Sequence, residues 1–365
     1  MDFSIGVEEE YQLLDVTTGD LRPASGAVLE AARPALGDEV QPELLRSQVE
    51  IGTPICASLA EVAAELRRLR RAVGKAAAGE GCRLGAAGTH PFARWDDQQF
   101  TRKERYLELA EEYQQTARET LIFGCHVHVG IEDPDLAVQV MDRTRPWLAV
   151  LVALGASSPF WEGVDTGYAS YRTEVFRRFP MTGTPHRFGS RAEYDRVVAI
   201  LVATGAITDA TKLYWDVRPS ARYSTVEFRV SDVSSRVDEA VTITGLVWGL
   251  AQAAHSAARA GAPDPAPRPE VLEAAMWRAA RYGLERDLID TVGGSSRPAA
   301  DMVGELLEVA RGPLEESGDW DVVRAGVERM LVEGNGARRQ RAAFARRGKL
   351  SDVVSLIIDE TLAGV

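Results

Sequence analysis

Residues 5 to 14 constrain the chain most. Ile5-Gly6-Val7-Glu8-Glu9-Glu10-Tyr11-Gln12-Leu13-Leu14 is an apolar, strand-forming run that carries three consecutive carboxylates. Side chains alternate across a strand, so Ile5, Val7, Glu9, Tyr11 and Leu13 share one face while Glu8, Glu10 and Gln12 share the other. Glu8 and Glu10 would project side by side, about 6–7 Å apart at the backbone. Two carboxylates on one strand face are costly unless a cation pairs them, and a divalent metal does so economically. A solvated strand face is the competing reading of this strand taken alone.

The rest of the composition narrows the class. At 365 residues, with 45% hydrophobic and 26% charged residues, the chain can bury a large core. A formal charge of −12 argues against nucleic acid or an anionic membrane as the main partner. No apolar run approaches the roughly 20 residues of a membrane span, and the N-terminus has no signal-peptide pattern. Cys56, Cys82 and Cys125 are odd in number and widely spaced, which fits reduced thiols in a cytoplasm.

In chain order, the pattern predicts a loop-rich stretch with a short helical segment over Pro23–Pro42 and a strand over Leu44–Thr53. Ser58 and Glu61 form a capping-box pattern opening a helix to about Ala78. A short buried strand is expected over Arg83–Gly88, a helix over Arg102–Thr120, and a strand over Leu121–Ile131. Asp133-Pro134 opens a helix to about Gly155. Ser157–Phe188 reads as a long functional loop, and Ser190 caps another helix. Strands follow at Leu213–Val217 and Ser224–Val230. Beyond Ser235 the pattern is helical: Val237–Ala260, Glu270–Leu284, Ala299–Leu314, Trp320–Glu333 and Asp352–Ala363. One domain over 1–365 is expected, with a sheet-containing part (1–235) and a helical part (236–365).

Each strong strand repeats the anomaly of the first. Gln48 and Glu50 share a face opposite Val49 and Ile51. His126 and His128 share a face opposite Cys125, Val127 and Val129, which makes Cys125 a core residue. Tyr214, Asp216 and Arg218 align, as do Thr225, Glu227, Arg229 and Ser231. If these strands pair, one face of the sheet is apolar and the other gathers Glu8, Glu10, Glu50, His126, His128, Glu227, Arg218 and Arg229. Solvated strand faces mix Thr, Lys, Ser and Arg, whereas this one is mainly carboxylate and imidazole. Such a set suits Mg²⁺ or Mn²⁺ better than zinc. Arginines beside a carboxylate-bound metal suggest phosphate chemistry. There is no Walker A motif, so such a site would be built from side chains on a sheet.

Two further stretches carry candidates. Tyr168, Tyr171, Arg172, Arg177 and Arg178 fall in the 157–188 segment, where an Arg among aromatics would grip a carboxylate or simply pack. Arg278 and Arg281, and the basic run at 338–341, would face nucleotide phosphates or form solvated helix faces.

The ordered set Gly6-Val7-Glu8-Glu9-Glu10-Tyr11, Gln48-Val49-Glu50, Gly124-Cys125-His126-Val127-His128-Val129-Gly130, Asp165 to Arg172, Trp215 to Pro219, Val226 to Arg229 and Trp277 to Gly283 resembles the glutamate–cysteine ligase type 2 family, and in it the YbdK-type carboxylate–amine ligases. The resemblance covers nearly the whole chain. It implies an α+β, glutamine synthetase/guanido kinase-like fold: a curved, mainly antiparallel sheet with helices on the convex face, the active site on the concave face, and a helical C-terminal third. It implies ATP-dependent activation of glutamate or a similar carboxylate as an acyl phosphate, then capture by an amine or amino acid to give a γ-glutamyl amide. By motif, Glu8, Glu10, Glu50, His126 and Glu227 would hold Mg²⁺ or Mn²⁺. His128 would be a neighbouring ligand or phosphate contact. Arg229 would stabilise the transferring phosphoryl, Arg172 would take the α-carboxylate, and Arg218 would contact phosphate or substrate. Arg278 and Arg281 would contact the nucleotide. Closure of the 157–188 segment would exclude water, and assembly would be as a homodimer. The resemblance does not fix the amine. Two other classes remain: a guanido-kinase-like phosphotransferase and a non-catalytic metal- or nucleotide-binding protein.

Overall fold

The computed structural model describes residues 3–365. Its centre is a seven-stranded, wholly antiparallel sheet. The strands are β1 (Ile5–Asp15), β2 (Val40–Pro42), β3 (Gln48–Gly52), β4 (Cys82–Gly85), β5 (Gly124–Gly130), β6 (Val217–Pro219) and β7 (Thr225–Asp232). Their order is β6-β7-β5-β1-β3-β2, and β4 pairs with the far end of β1. The triple-glutamate strand is thus central, flanked by β3 and β5.

One face of this sheet is buried. Ile5, Val7, Tyr11 and Leu13 of β1, Val49 and Ile51 of β3, Val127 and Val129 of β5, and Val226 and Phe228 of β7 join one continuous core. Cys125 is buried with them. Helices Leu59–Gly79 and Val237–Arg259 pack on β1 and β5 respectively. That core draws residues from both the sheet-containing and the helical part. No helix among the described residues is long and apolar enough to cross a membrane.

The expected helix starts are capped as read. Ser58 Oγ accepts the Glu61 N–H at 3.2 Å, and Glu61 returns a bond to the Ala57 N–H at 2.7 Å. Asp133 accepts from Asp135 and Leu136, with Pro134 in the first turn, and Ser190 accepts from Glu193.

The differences have local causes. The second strand is shorter than 44–53 because residues 44–47 turn, with Gln48 Oε1 accepting the Leu45 N–H at 3.0 Å. The 83–88 and 121–131 strands contract to Cys82–Gly85 and Gly124–Gly130. Residues 25–36 form a twelve-residue helix with Pro34 inside it. The 102–120 helix breaks at Gln114, whose φ is 48°. The helix expected to run from 134 to 155 is interrupted at Arg145–Trp147, where Pro146 cannot donate to the ladder. The C-terminal third is not all helix: Leu288–Asp290 and Ser295–Arg297 form a hairpin. A further helix spans Gly336–Arg347.

Glu9 falls on the buried face, and its partner is Arg70 of the 59–79 helix. Arg70 Nη2 donates to Glu9 Oε1 at 2.6 Å and Nε to Oε2 at 3.0 Å. The Tyr11 hydroxyl also donates to Glu9. The remaining Arg70 donors reach the carbonyls of Ser234, Ser235 and Thr361 at 2.8 Å, 2.9 Å and 3.2 Å. Both side chains are fully buried. Removing one member of such a pair strands the other charge. Arg70→Met is therefore expected to lower the unfolding free energy by about 3–5 kcal/mol in urea titration. Adding Glu9→Leu to it recovers part of that loss.

His90 provides a pH-dependent contribution. Its Nδ1 accepts the N–H groups of Ala93 and Phe92 at 2.8 Å and 3.2 Å, so Nε2 carries the proton donated to the Gly19 carbonyl at 2.9 Å. Burial pushes its pKa down to about 4. The unfolded imidazole binds its proton near pH 6.5, so this contribution is complete above that pH and is lost as pH falls toward 4. Its full size is about 3 kcal/mol. His90→Gln is expected to flatten the fall in urea-unfolding stability between pH 6.5 and 4 by that order of magnitude.

Candidate active site

The polar face of the sheet is assembled by register. Glu8 lies opposite His126 and Glu10 opposite Glu50. His128 lies opposite Glu227, which lies opposite Arg218. Directly opposed residues share a face, so five strands deliver these groups to one surface.

The side chains then make contact. His126 Nδ1 lies 3.1 Å from Glu8, and His126 Nε2 is 4.0 Å from Glu10. His128 Nε2 is 3.6 Å from Glu8. Glu10 accepts the Gly124 N–H at 2.6 Å. Arg218 Nε donates to Glu227 at 2.9 Å, and Arg229 pairs with the same carboxylate.

Arg229 is aimed by a β-bulge. Phe228 pairs with Val127 and Ser231 with Cys125, so β7 carries one extra residue there. The bulge turns Ser231 onto the buried face opposite Cys125, contrary to strict alternation from Glu227. The Arg229 N–H bonds the Asp216 carbonyl at 2.8 Å, and its Nε is buried with no hydrogen-bond partner.

The 157–188 segment is more ordered than a free loop. It contains the hairpin Phe160–Trp161/Val164–Asp165 and the short helix Tyr171–Phe176. Buried Asp232 accepts from Ser157 N, Ser158 Oγ and Ser170 Oγ at 2.7 Å, 2.6 Å and 2.8 Å. Ser158 Oγ in turn accepts the Arg172 N–H at 3.0 Å. The far end is held by Asp142, which accepts from Phe188 N and Gly189 N. The Arg172 guanidinium lies across Gly124, where a Cβ would collide with it. Its Nε is buried without a partner.

Charge explains the titration behaviour. Five carboxylates, Glu8, Glu10, Glu43, Glu50 and Glu227, gather here, and Arg218 and Arg229 both pair with one of them, Glu227. Burial and the neighbouring Glu10 carboxylate push Glu43 up to about 7. Burial together with Glu43, Glu8 and Glu10 pushes Glu50 well up. Burial also works against ionised Glu8, but the hydrogen bond from His126 and the nearby His128 imidazole outweigh it and hold that carboxyl far below its usual range. Arg229 and Arg218 do the same for buried Glu227. Burial and Arg229 lower His126, so it is neutral at pH 7.

This face fits a divalent cation. Ligand atoms of Glu8, His128 and Glu227 all lie within 4.8 Å of one another. His128 Nε2 is buried without a hydrogen-bond partner, and its Nδ1 is engaged by Thr225 Oγ1 at 3.0 Å. Glu10 and Glu50 stand opposite each other one pair further along, and His126 lies between Glu8 and Glu10.

Beside the carboxylates a cavity of about 110 Å³ opens, with Glu10, His126, Arg172 and Arg229 in its lining. Strand alternation could not have found Glu43, which precedes β3 in a turn and whose carboxylate accepts from the Tyr106 hydroxyl at 3.0 Å. Asp232, which anchors Arg172 through a serine, was likewise unmarked by any motif.

Arg278 and Arg281 are engaged by other partners. Arg278 donates to the Asp287 carbonyl at 2.6 Å, and Arg281 stacks on Tyr168 and Tyr282. The 338–341 run makes ion pairs: Arg339 with Glu239 and Glu360, and Arg341 with Asp165.

Titration with Mn²⁺ followed by electron paramagnetic resonance checks the cation site. Glu8→Gln and His128→Ala are each expected to weaken Mn²⁺ binding at least about tenfold, whereas Arg278→Ala leaves it unchanged.

Comparison with known proteins agrees with this architecture. Residues 4–355 match the family described as Glutamate-cysteine ligase family 2. A protein bearing the name glutamate–cysteine ligase 2 from Rhodopirellula baltica is 42% identical, over 98% of this chain and 97% of its own. Another, from Frankia casuarinae, is 45% identical over 98% of this chain, which spans only 41% of that longer relative. Among solved structures, a glutamate–cysteine ligase from Francisella tularensis in complex with AMP superposes with a TM-score of 0.67 at 12% identity, covering 100% of this chain and 90% of that one. A bifunctional glutathione synthetase from Pasteurella multocida gives 0.68 at 15% identity, covering 99% and 52%. These likenesses show a glutamine synthetase-like fold, and the sequence match shows that the chain belongs to glutamate–cysteine ligase family 2.

Proposed function

We propose that this chain, an ATP-dependent carbon–nitrogen ligase by family, joins the γ-carboxylate of glutamate or a similar acid to an amine through an acyl phosphate. The observation that carries this reading is that Arg172 and Arg229 line one cavity together with Glu10 and Glu43. The carboxylate oxygen attacks the γ-phosphorus of ATP and ADP leaves. The amine nitrogen then attacks the acyl carbon, phosphate leaves, and the nitrogen gives up a proton.

Each residue has a task in that sequence. Arg172, whose buried Nε has no hydrogen-bond partner, takes the α-carboxylate. Arg229 faces the phosphoryl group and offsets the charge that develops in transfer. Arg218, bound to Glu227 and to the Thr211 carbonyl, holds Glu227 in place. Glu8, His128 and Glu227, with Glu10, Glu50 and His126, would hold Mg²⁺ or Mn²⁺. Such an ion, when bound, neutralises phosphate oxygens and so reduces their repulsion of an incoming carboxylate.

Incubation of the protein with ATP, Mg²⁺, glutamate and a panel of amines tests the reading by ADP release and product mass. An amide is expected, and glutamate labelled with ¹⁸O in its γ-carboxylate should pass one label into phosphate. ADP or a stable phosphorylated product without amide would sink it. Arg229→Ala is expected to lower kcat by on the order of 100-fold.

A further inference from the structure

We propose that the amine acceptor carries an aromatic or large branched hydrocarbon group, seated against the apolar wall of the cavity. This rests on the ligase reading above. The wall is formed by Tyr106, Leu109, Phe176, Phe179 and Tyr214. Phe176, Phe179 and Tyr214 hold one another edge to face or tilted, with ring centroids 5.9–6.3 Å apart. The wall is therefore a pre-formed surface, since each ring is braced by the other two.

Of the other polar groups in the lining, Gln48 bonds the Leu45 N–H and the Ile122 carbonyl, and the Thr120 hydroxyl bonds the Thr116 carbonyl. The carboxylate substrate and the phosphoryl group use Arg172 and Arg229. The Tyr106 hydroxyl donates to the Pro42 carbonyl at 2.8 Å and to Glu43 at 3.0 Å, so Tyr106 offers a ligand its ring. Glu43, where the wall meets the acidic face, is the partner for an arriving ammonium. A thiol on one methylene would cover little of five large apolar side chains. A phenyl or branched group would cover most of them, and its burial is worth on the order of 100-fold in specificity. Arg105, exposed at the mouth, opposes a second positive charge, which disfavours diamines.

The test compares 2-phenylethylamine, cysteine and methylamine as acceptors for the full chain. Each is given with ATP, Mg²⁺ and the carboxylate that supports ADP release, and amide is read by mass. The expected result is kcat/KM for 2-phenylethylamine at least about tenfold above the other two. Phe179→Ser should then cut the ratio of 2-phenylethylamine to methylamine at least about fivefold. Because a ratio is read within one variant, partial misfolding does not imitate the effect. Cysteine or methylamine as the best acceptor, or an unchanged ratio in the variant, overturns the inference and leaves the ligase reading standing. No amide with any amine overturns both.

Discussion

The ion pair between Glu9 and Arg70 fixes the rest. A strand slipped by one residue exchanges its two faces completely. In β1 such a slip would carry Glu9 out to the polar surface and push Glu8 and Glu10 into the core, where the 59–79 helix offers one guanidinium. The observed register gives Glu9 its guanidinium and leaves Glu8 and Glu10 on the face that holds His126. The pair also ties β1 to the 234–235 turn after β7 and to Thr361 near the C-terminus. A buried ion pair adds little net stability against an apolar replacement. Here its contribution is specificity: it selects the register on which the opposite face depends.

That opposite face is costly in the other sense. Carboxylates outnumber close arginines, and the surplus is borne by Glu43 and Glu50, whose protons are held more tightly as a result. Glu8 and Glu227 stay ionised because imidazoles and guanidiniums face them. The surface is thus graded, with firmly ionised groups toward β7 and proton-holding groups toward β3. A divalent cation relieves the repulsion along that gradient.

Much of this was legible in alternation. Period-two patterning placed Glu8, Glu10, Glu50, His126, His128 and Glu227 on one face because direct ladder partners share a face, and the register has that property. Capping chemistry marked helix starts at Ser58, Asp133 and Ser190 because a side-chain oxygen there satisfies an orphan N–H. What escaped depends on distance in three dimensions. Arg70 lies 61 residues from Glu9, and although its spacing from Leu66 and Val73 puts it on the buried face of its helix, nothing local names its partner. Glu43 sits in a turn, outside any period. Ser231 was misplaced because a bulge inserts one residue and reverses alternation beyond it. Arg278 and Arg281 stand in a motif of the family, and their contacts are the Asp287 carbonyl and the rings of Tyr168 and Tyr282.

Arg172 shows how a residue from a connecting segment acquires the precision of a strand. Asp232 closes β7 and gathers three hydrogen bonds from Ser157, Ser158 and Ser170, which bracket the hairpin before the Arg172 helix. Ser158 hands the constraint on to the Arg172 backbone. Gly124 supplies the remaining space, since any side chain there would displace the guanidinium. The sheet therefore positions the arginine twice, through an anchor at the end of β7 and a gap at the start of β5. Geometry held to fractions of an ångström requires this kind of support from rigid elements. It follows that the glycine of the Gly-Cys-His-Val-His run is a site residue in its own right, although it contributes no functional group.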